Sequence, residues 1–494
     1  MLPKTLKYGS KIESAYARAV RSNIQPQTTG PFNMGDTIII NIPTRAGLTL
    51  CPSESYLRFN VNITNKTNNN AFRWDSCGAQ GIIQRIRVFH GSNQLQDIDN
   101  YGMLAKLLYD LQLPTDATYG KYNMLAGCRN DLVGRVATFT PTANTVTADN
   151  TAININASLL ANVNSVNASL TAATTAGFSV LQVNSGERID PAGALTATDA
   201  VVTATYCIPL ISLVGVLCTN NYLPLWEMSS SPLRIEIQLV DALVKACNVL
   251  TNATAPSTFT VDKVEYIGSF MELSDPAIAM IKDSLGGSPL QFVIPDWRNY
   301  AYNNTLTNNQ TAAIAMPIAA KFSSVKSIFV TIRDIGLGQA SYFPFSSTSR
   351  NISQYQFRIG SEVMPAKAPA TLQEMFAECL KAIGSISDIN QQPSIEKASY
   401  SLVSSLNTAA LLDSATSVSY QQSGSYYIGF DAETYANSPK ESIYTGLNTN
   451  TSDIYCMMDF GTQTGTTAAN CRFDAYCNFD CVLICENGTA YVRF

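Results

Sequence analysis

Charge and histidine are what this sequence has least of. Of 494 residues only 14 % are charged, the formal net charge is −5, and His90 is the single histidine. So small a net charge on so long a chain creates no global field to gather nucleic acid or an acidic membrane. One histidine removes most general acid–base and triad schemes, and His90, at a strand end before a turn, reads as structural. Motifs are missing as well. There is no G-x-x-x-x-G-K-S/T, no G-x-S-x-G elbow and no C-x-x-C, and Gly336–Leu337–Gly338 lacks a following dinucleotide unit. The longest apolar run, Tyr206 to Cys218, contains Pro209 and Ser212 and is too short to span a bilayer. Lys4, Lys7 and Lys11 are not followed by the apolar segment of a secretory signal. The expectation is a soluble protein made inside a cell, its twelve cysteines buried thiols rather than disulfides. No catalytic, cofactor-binding or metal site is expected.

In place of charge the chain is rich in Asn, Thr, Ser and Ala. The N-x-S/T sequons, among them Asn62, Asn252, Asn351 and Asn487, then arise by chance. Asp241, Glu265 and Glu272 read as strand-end or surface acids, and Trp74, Trp226 and Trp297 as packing anchors. Cys471, Cys477, Cys481 and Cys485 share odd parity, which within strands would turn them to one face.

What the chain does have is a repeated unit. In Gln84–Arg85–Ile86–Arg87–Val88–Phe89–His90, apolar Ile86 and Val88 alternate with arginines, the period of a half-buried strand. Gly91–Ser92–Asn93 supplies a turn. Tyr101 to Leu111 follows as a helix with Leu104, Leu107, Leu108 and Leu111 on one face. The pattern returns 269 residues on: Gln354 to Ile359 alternates in the same parity, Gly360–Ser361 turns, and Thr371 to Ile383 reads as a helix with Leu372, Phe376, Cys379, Leu380 and Ile383 on its apolar side. At that offset Phe59, Val61 and Ile63 also meet Ile328, Val330 and Ile332. The chain is two copies of one β-domain.

Taken in order, residues 1–30 form a basic arm carrying Lys4, Lys7, Lys11, Arg18 and Arg21, with Ile12, Tyr16, Ala19 and Val20 able to line a short helix. Such a segment suits either a frayed terminus or an arm that docks on a partner. Thr37–Ile42 and Tyr56–Thr64 open the first domain, Asn65 to Asn70 is a polar turn cluster, and Gly120 to Val136 is too aperiodic to assign. From Thr138 to Thr203 the composition shifts to Thr, Ala, Asn, Ser and Val, which reads as a β-rich tower on the domain. The scaffold resumes at Tyr206, Leu233–Leu239 alternates cleanly, and Thr258 to Leu273 closes the domain. Ser274–Asp275–Pro276 starts a connecting helix that stops before Gly286–Gly287. The second domain begins at Leu290. Ala312–Pro317 is the counterpart of Ile38–Pro43, Ser385 to Gly424 is a long polar loop, and Ser425–Phe430 and Ile454–Phe460 are strands. The chain ends in a hairpin around Asn487–Gly488, the terminal strand tied into a sheet or a neighbour.

This organisation resembles the double jelly-roll major capsid proteins of virophages, Polinton-type viruses and large eukaryotic DNA viruses. The likeness rests on the Tyr56–Thr64 strand, the Ile86–Ser92 strand and turn with its helix, Ser231–Pro232–Leu233–Arg234–Ile235–Glu236–Ile237, and the terminal Phe479–Asp480–Cys481–Val482–Leu483 with Asn487–Gly488. It covers nearly the whole chain from Asp36 and rests on patterns rather than signatures. The resemblance implies an all-β protein of two tandem eight-stranded jelly rolls, at 31–273 and 289–494, with an arm at 1–30, a tower at about 138–203 and a connecting helix at 274–288. It also implies a homotrimer forming pseudo-hexagonal capsomers of an icosahedral virion, with penton and minor capsid proteins as further partners and no sequence-specific nucleic-acid binding. The candidate assembly arm is then Lys4, Lys7, Lys11, Ile12, Tyr16, Arg18 and Arg21. Other readings are a receptor- or glycan-binding spike, a minor or vertex virion protein, and a β-helical or sandwich hydrolase, for which no carboxylate constellation is evident.

Overall fold

In the computed structural model, residues 17–64, 72–128, 201–218, 221–249, 258–335, 343–384, 386, 393–403, 423–433, 445–463 and 469–494 are described, together with the backbone of short strands between 137 and 189. Each copy is a pair of antiparallel sheets packed face to face, each with a path of four strands; in one sheet of each copy a short fifth strand, Phe32–Asn33 or Thr489–Arg493, pairs off that path. In the first, one sheet runs Ala17–Ile24, Thr258–Leu273, Leu48–Thr64, Val201–Ile208, and the other Thr37–Ile42, Leu233–Leu239, Ile83–His90, Asn93–Asp99. In the second, the orders are Leu290–Leu306, Ala469–Glu486, Val325–Ile335, Tyr427–Asp431 and Ala312–Ile318, Ile454–Phe460, Ile352–Ile359, Glu362–Met364. Strand for strand the two orders are the same. Each is an eight-stranded jelly roll, in which consecutive strands alternate between sheets except at one hairpin, Ile83–Asp99 in the first copy and Ile352–Met364 in the second.

The period-two pattern explains the packing. Along Leu233–Leu239 every second residue is buried, so Leu233, Ile235 and Ile237 enter the core while Arg234, Glu236 and Gln238 face out. Register is kept between copies: Leu233 pairs with both Ile42 and His90, and Ile454 with both Ile318 and Ile359. His90 plus 269 is Ile359, so the sequence offset is an offset in space. Trp74, Trp226 and Trp297 are buried anchors, and Cys471, Cys477, Cys481 and Cys485 all lie inside. Asp241, Glu265 and Glu272 pair with Lys245, Arg58 and Arg45.

Several expectations need correction. The arm does not reach residue 30. Ala17–Ile24 is a strand, paired over its whole length with Thr258–Leu273, and it opens the first jelly roll. Ala19 and Val20 therefore belong to a sheet and not to a helix, because the closing strand offers eight residues of main-chain partners that an isolated one-turn helix cannot match. Lys4, Lys7, Lys11, Ile12 and Tyr16 lie outside the described residues. The tower ends earlier than Thr203, since Val201–Ile208 already pairs with Leu48–Thr64. Within it, Ala137–Thr140, Thr145–Ala148, Thr151–Asn154 and Phe178–Leu181 form a small antiparallel sheet. Thr115–Ala126 is helical, which no periodicity had announced. Ser274 occupies the N-cap position of the connecting helix Asp275–Leu285, but its hydroxyl makes no capping bond. Most of the 385–424 loop and the Asn65–Asn70 cluster fall outside the described residues.

Candidate functional site

The element with most at stake is the seam between the jelly rolls, because there two copies of one domain meet. Three groups of contacts build it.

The first joins the Ile83–Asp99 hairpin to the chain's end. Strand Thr489–Arg493 adds to the Ala469–Glu486 strand and lies against the first domain. The Ala490 N–H donates to His90 Nδ1 at 3.1 Å, and Asn93 Nδ2 donates to the Ala490 carbonyl at 3.1 Å. With Nδ1 accepting, the imidazole proton sits on Nε2, 3.2 Å from the Met228 carbonyl. Gly488 closes the hairpin at φ +80°, and its carbonyl accepts from the Ser230 N–H.

The second group centres on Gln96 and Asp296. Gln96 Nε2 donates to Asp296 Oδ1 at 2.7 Å across the seam, while Gln96 Oε1 accepts from the Leu213 N–H. Asp296 is 1 % exposed and its Oδ2 has no donor. Burial pushes this carboxyl up to about 7 against the pull of Gln96, the Trp297 amide and Arg298. Arg298 itself lies over the rings of Phe322, Phe479 and Phe494.

The third group surrounds helix Tyr101–Gln112. The expected single apolar face is only part of the story, since every residue from Tyr101 to Leu111 is buried. The second domain covers the other side. Phe345 packs on Gly81 and Gly102, where a Cβ would stand 2.8 and 2.6 Å from its ring. Lys106 Nζ lies 3.1 Å from Asp75 and 3.0 Å from Asp110. From the second domain, Ser425 and Tyr427 donate to Asp110 and Ser423 donates to Asp75. Burial would lower the Lys106 pKa, but Asp110 and Asp75 outweigh it and hold the ammonium charged. Tyr476 Oη donates to the Asn100 carbonyl at the helix start. Nearby, Asp474 takes two guanidiniums, Arg333 and Arg472, which overcome its burial and lower its pKa.

Both His90 ring nitrogens are spent on main chain, and burial pushes thiols such as Cys247 and Cys477 up, leaving them protonated and poorly nucleophilic. Among the described residues no group of His, Cys, Asp and Glu is placed to hold a metal, and no helix is long and apolar enough to cross a membrane. What the seam does is make one body of two jelly rolls. Of the candidate arm residues only Arg18 and Arg21 are described; both lie on the edge strand, Arg21 bonding Tyr56 Oη at 2.5 Å. Sequence reasoning missed Asp75, Gln96, Lys106, Asp110 and Asp296. The available signal was Lys106 and Asp110, an i, i+4 pair on an otherwise apolar helix, standing where the second copy has Met375 and Cys379.

No protein-family model and no curated protein matches the chain. Solved structures do, over its full length. The mavirus major capsid protein matches at 11 % identity and TM-score 0.53, covering 100 % of this chain and 95 % of that one. The Sputnik virophage structure from cryo-EM matches at 9 % and 0.57, covering 100 % and 92 %. The Faustovirus major capsid protein matches at 9 % and 0.54, covering 98 % and 93 %. At such identities the likeness is one of fold, and it spans both domains: the chain has the double jelly-roll fold of these viral major capsid proteins.

Proposed function

We propose that this chain is a major capsid protein, a homotrimer whose six jelly rolls form a pseudo-hexagonal capsomer of an icosahedral virion. The supporting observation is that the likeness to the capsid proteins spans both jelly rolls at once, with end-to-end coverage on each side. A fused pair welded by a buried seam presents a rigid building block, and a low-charge surface lets many identical copies pack without strong repulsion. The work is done at interfaces, not in a pocket. Residues 1–16 would form the arm, 17–273 the first jelly roll with its tower, 274–288 the connector and 289–494 the second jelly roll. Penton and minor capsid proteins are the expected further partners. Light scattering on the purified protein, with negative-stain imaging of the same peak, tests this. A trimer of hexagonal outline is the expected result. A monomer that binds glycans would favour an attachment protein instead.

A further inference from the structure

The seam opens into a cleft at the start of helix Tyr101–Gln112. Its volume is about 540 Å³, with a wall from each jelly roll. Gln84, Asn100 and Lys245 line the first-domain side, and Arg333, Phe345 and Arg472 the second-domain side. Small-molecule sites run on the order of 300–1,000 Å³, so the cleft has room for a ligand.

The charges there do not balance out. Asp474 is shared by two guanidiniums, so one positive charge is left over. Arg333 spends Nε and Nη2 on Asp474 and Nη1 on the Pro344 carbonyl. Among the described residues Arg472 bonds only through Nε, 2.9 Å from Asp474 Oδ1, which leaves both of its terminal NH2 groups open. The carboxylates of the lining are taken, Asp334 by Arg350 and Asp241 by Lys245. Asp99 adds a negative charge near Arg472, but it lies with Arg85 and Arg298 in the wall of the neighbouring cleft.

Asn100 supplies the observation that points to a ligand. It is 6 % exposed, stands at φ +51° just before the helix, and its side chain caps none of the first-turn amides. Its Nδ2 is buried with no acceptor among the described residues, an arrangement that costs free energy until something accepts from it. Tyr476 Oη holds the Asn100 carbonyl from the second domain. A helix N-terminus favours anions, because its free amides and its dipole present positive charge. We propose that this cleft binds a phosphate-class oxyanion, as the free ion or as a small monoester. Its donors are Asn100 Nδ2, the first amides of helix Tyr101–Gln112 and the guanidiniums of Arg333 and Arg472. Bound there, the anion bridges the two jelly rolls and strengthens their seam.

The test is isothermal titration calorimetry on the full chain in chloride buffer at constant ionic strength, with inorganic phosphate and, separately, adenosine monophosphate. Saturable binding at one ligand per chain is expected. Tighter binding of phosphate assigns the free ion, and tighter binding of the nucleotide assigns a monoester. Asn100→Gly keeps the positive φ and removes the unpartnered amide. Arg472→Gln removes the spare guanidinium. Each variant should bind roughly tenfold more weakly, the loss of one charge-assisted hydrogen bond. Urea midpoints taken without ligand show whether the variants fold; if Arg472→Gln does not, Asn100→Gly decides. Phosphate should also raise the urea midpoint of the parent more than that of Asn100→Gly, a comparison in which its general salting effect cancels. No saturable heat from either titrant overturns the site, and so does parent-like affinity in folded Asn100→Gly. Neither result touches the capsomer reading, which is tested by oligomeric state.

Discussion

At the scale of single residues the seam mixes two electrostatic designs. Lys106 is held charged between two carboxylates, and Asp474 between two guanidiniums. Asp296 has only a neutral amide across the seam. A folded-state pKa of about 7 against an ordinary 3.8 means that folding takes up a proton between these values. Stability from this group is therefore full below about pH 4 and is lost as pH rises through 7. Replacing Asp296 by Asn keeps the acceptor for Gln96 and removes the titration. Urea midpoints at pH 5 and 8 should show D296N gaining on the parent protein at the higher pH, by ~2–4 kcal/mol at most. Asp474, whose lowered pKa gives the opposite slope, cancels in that comparison. Parallel pH profiles for the two proteins would remove Asp296 from the account.

At the scale of elements, the strands were the most legible part of the sequence. Leu233–Leu239 and Ile352–Ile359 announce themselves because alternation is a local property, and the 269 offset makes two faint patterns support each other. Helix Tyr101–Gln112 was half legible. Its leucine stripe gave its existence, but Lys106 and Asp110 look like an ordinary surface pair until a second domain covers them. Ala17–Ile24 was misread for a related reason. Six of its eight residues are polar or alanine, and what makes it a strand is its partner about 250 positions away. Docking of the helix can be tested at Gly102. A methyl there meets Phe345 at 2.6 Å and Gly81 Cα at 3.1 Å, one wall in each domain. Gly102→Ala should lower stability by ~1–3 kcal/mol in urea unfolding, and Phe345→Leu in the same chain should recover part of it.

At the scale of the whole molecule, the position of the first strand changes how the arm must be probed. Removing residues 1–16 takes away Lys4, Lys7, Lys11, Ile12 and Tyr16 and leaves both sheets complete. Under the capsomer reading, that truncation keeps trimers in light scattering and impairs assembly of closed shells seen by electron microscopy. Removing 1–24 strips the edge strand, so loss of the trimer itself is expected there. Normal particles from the shorter truncation would leave the arm without a role. The chain also carries its own reporter. Its only histidine accepts the Ala490 amide across the seam, so one imidazole signal among 494 residues reads whether the two halves are together. Nitrogen-15 labelling of histidine alone would then follow opening and closing of the seam during assembly or heating, with no assignment problem to solve.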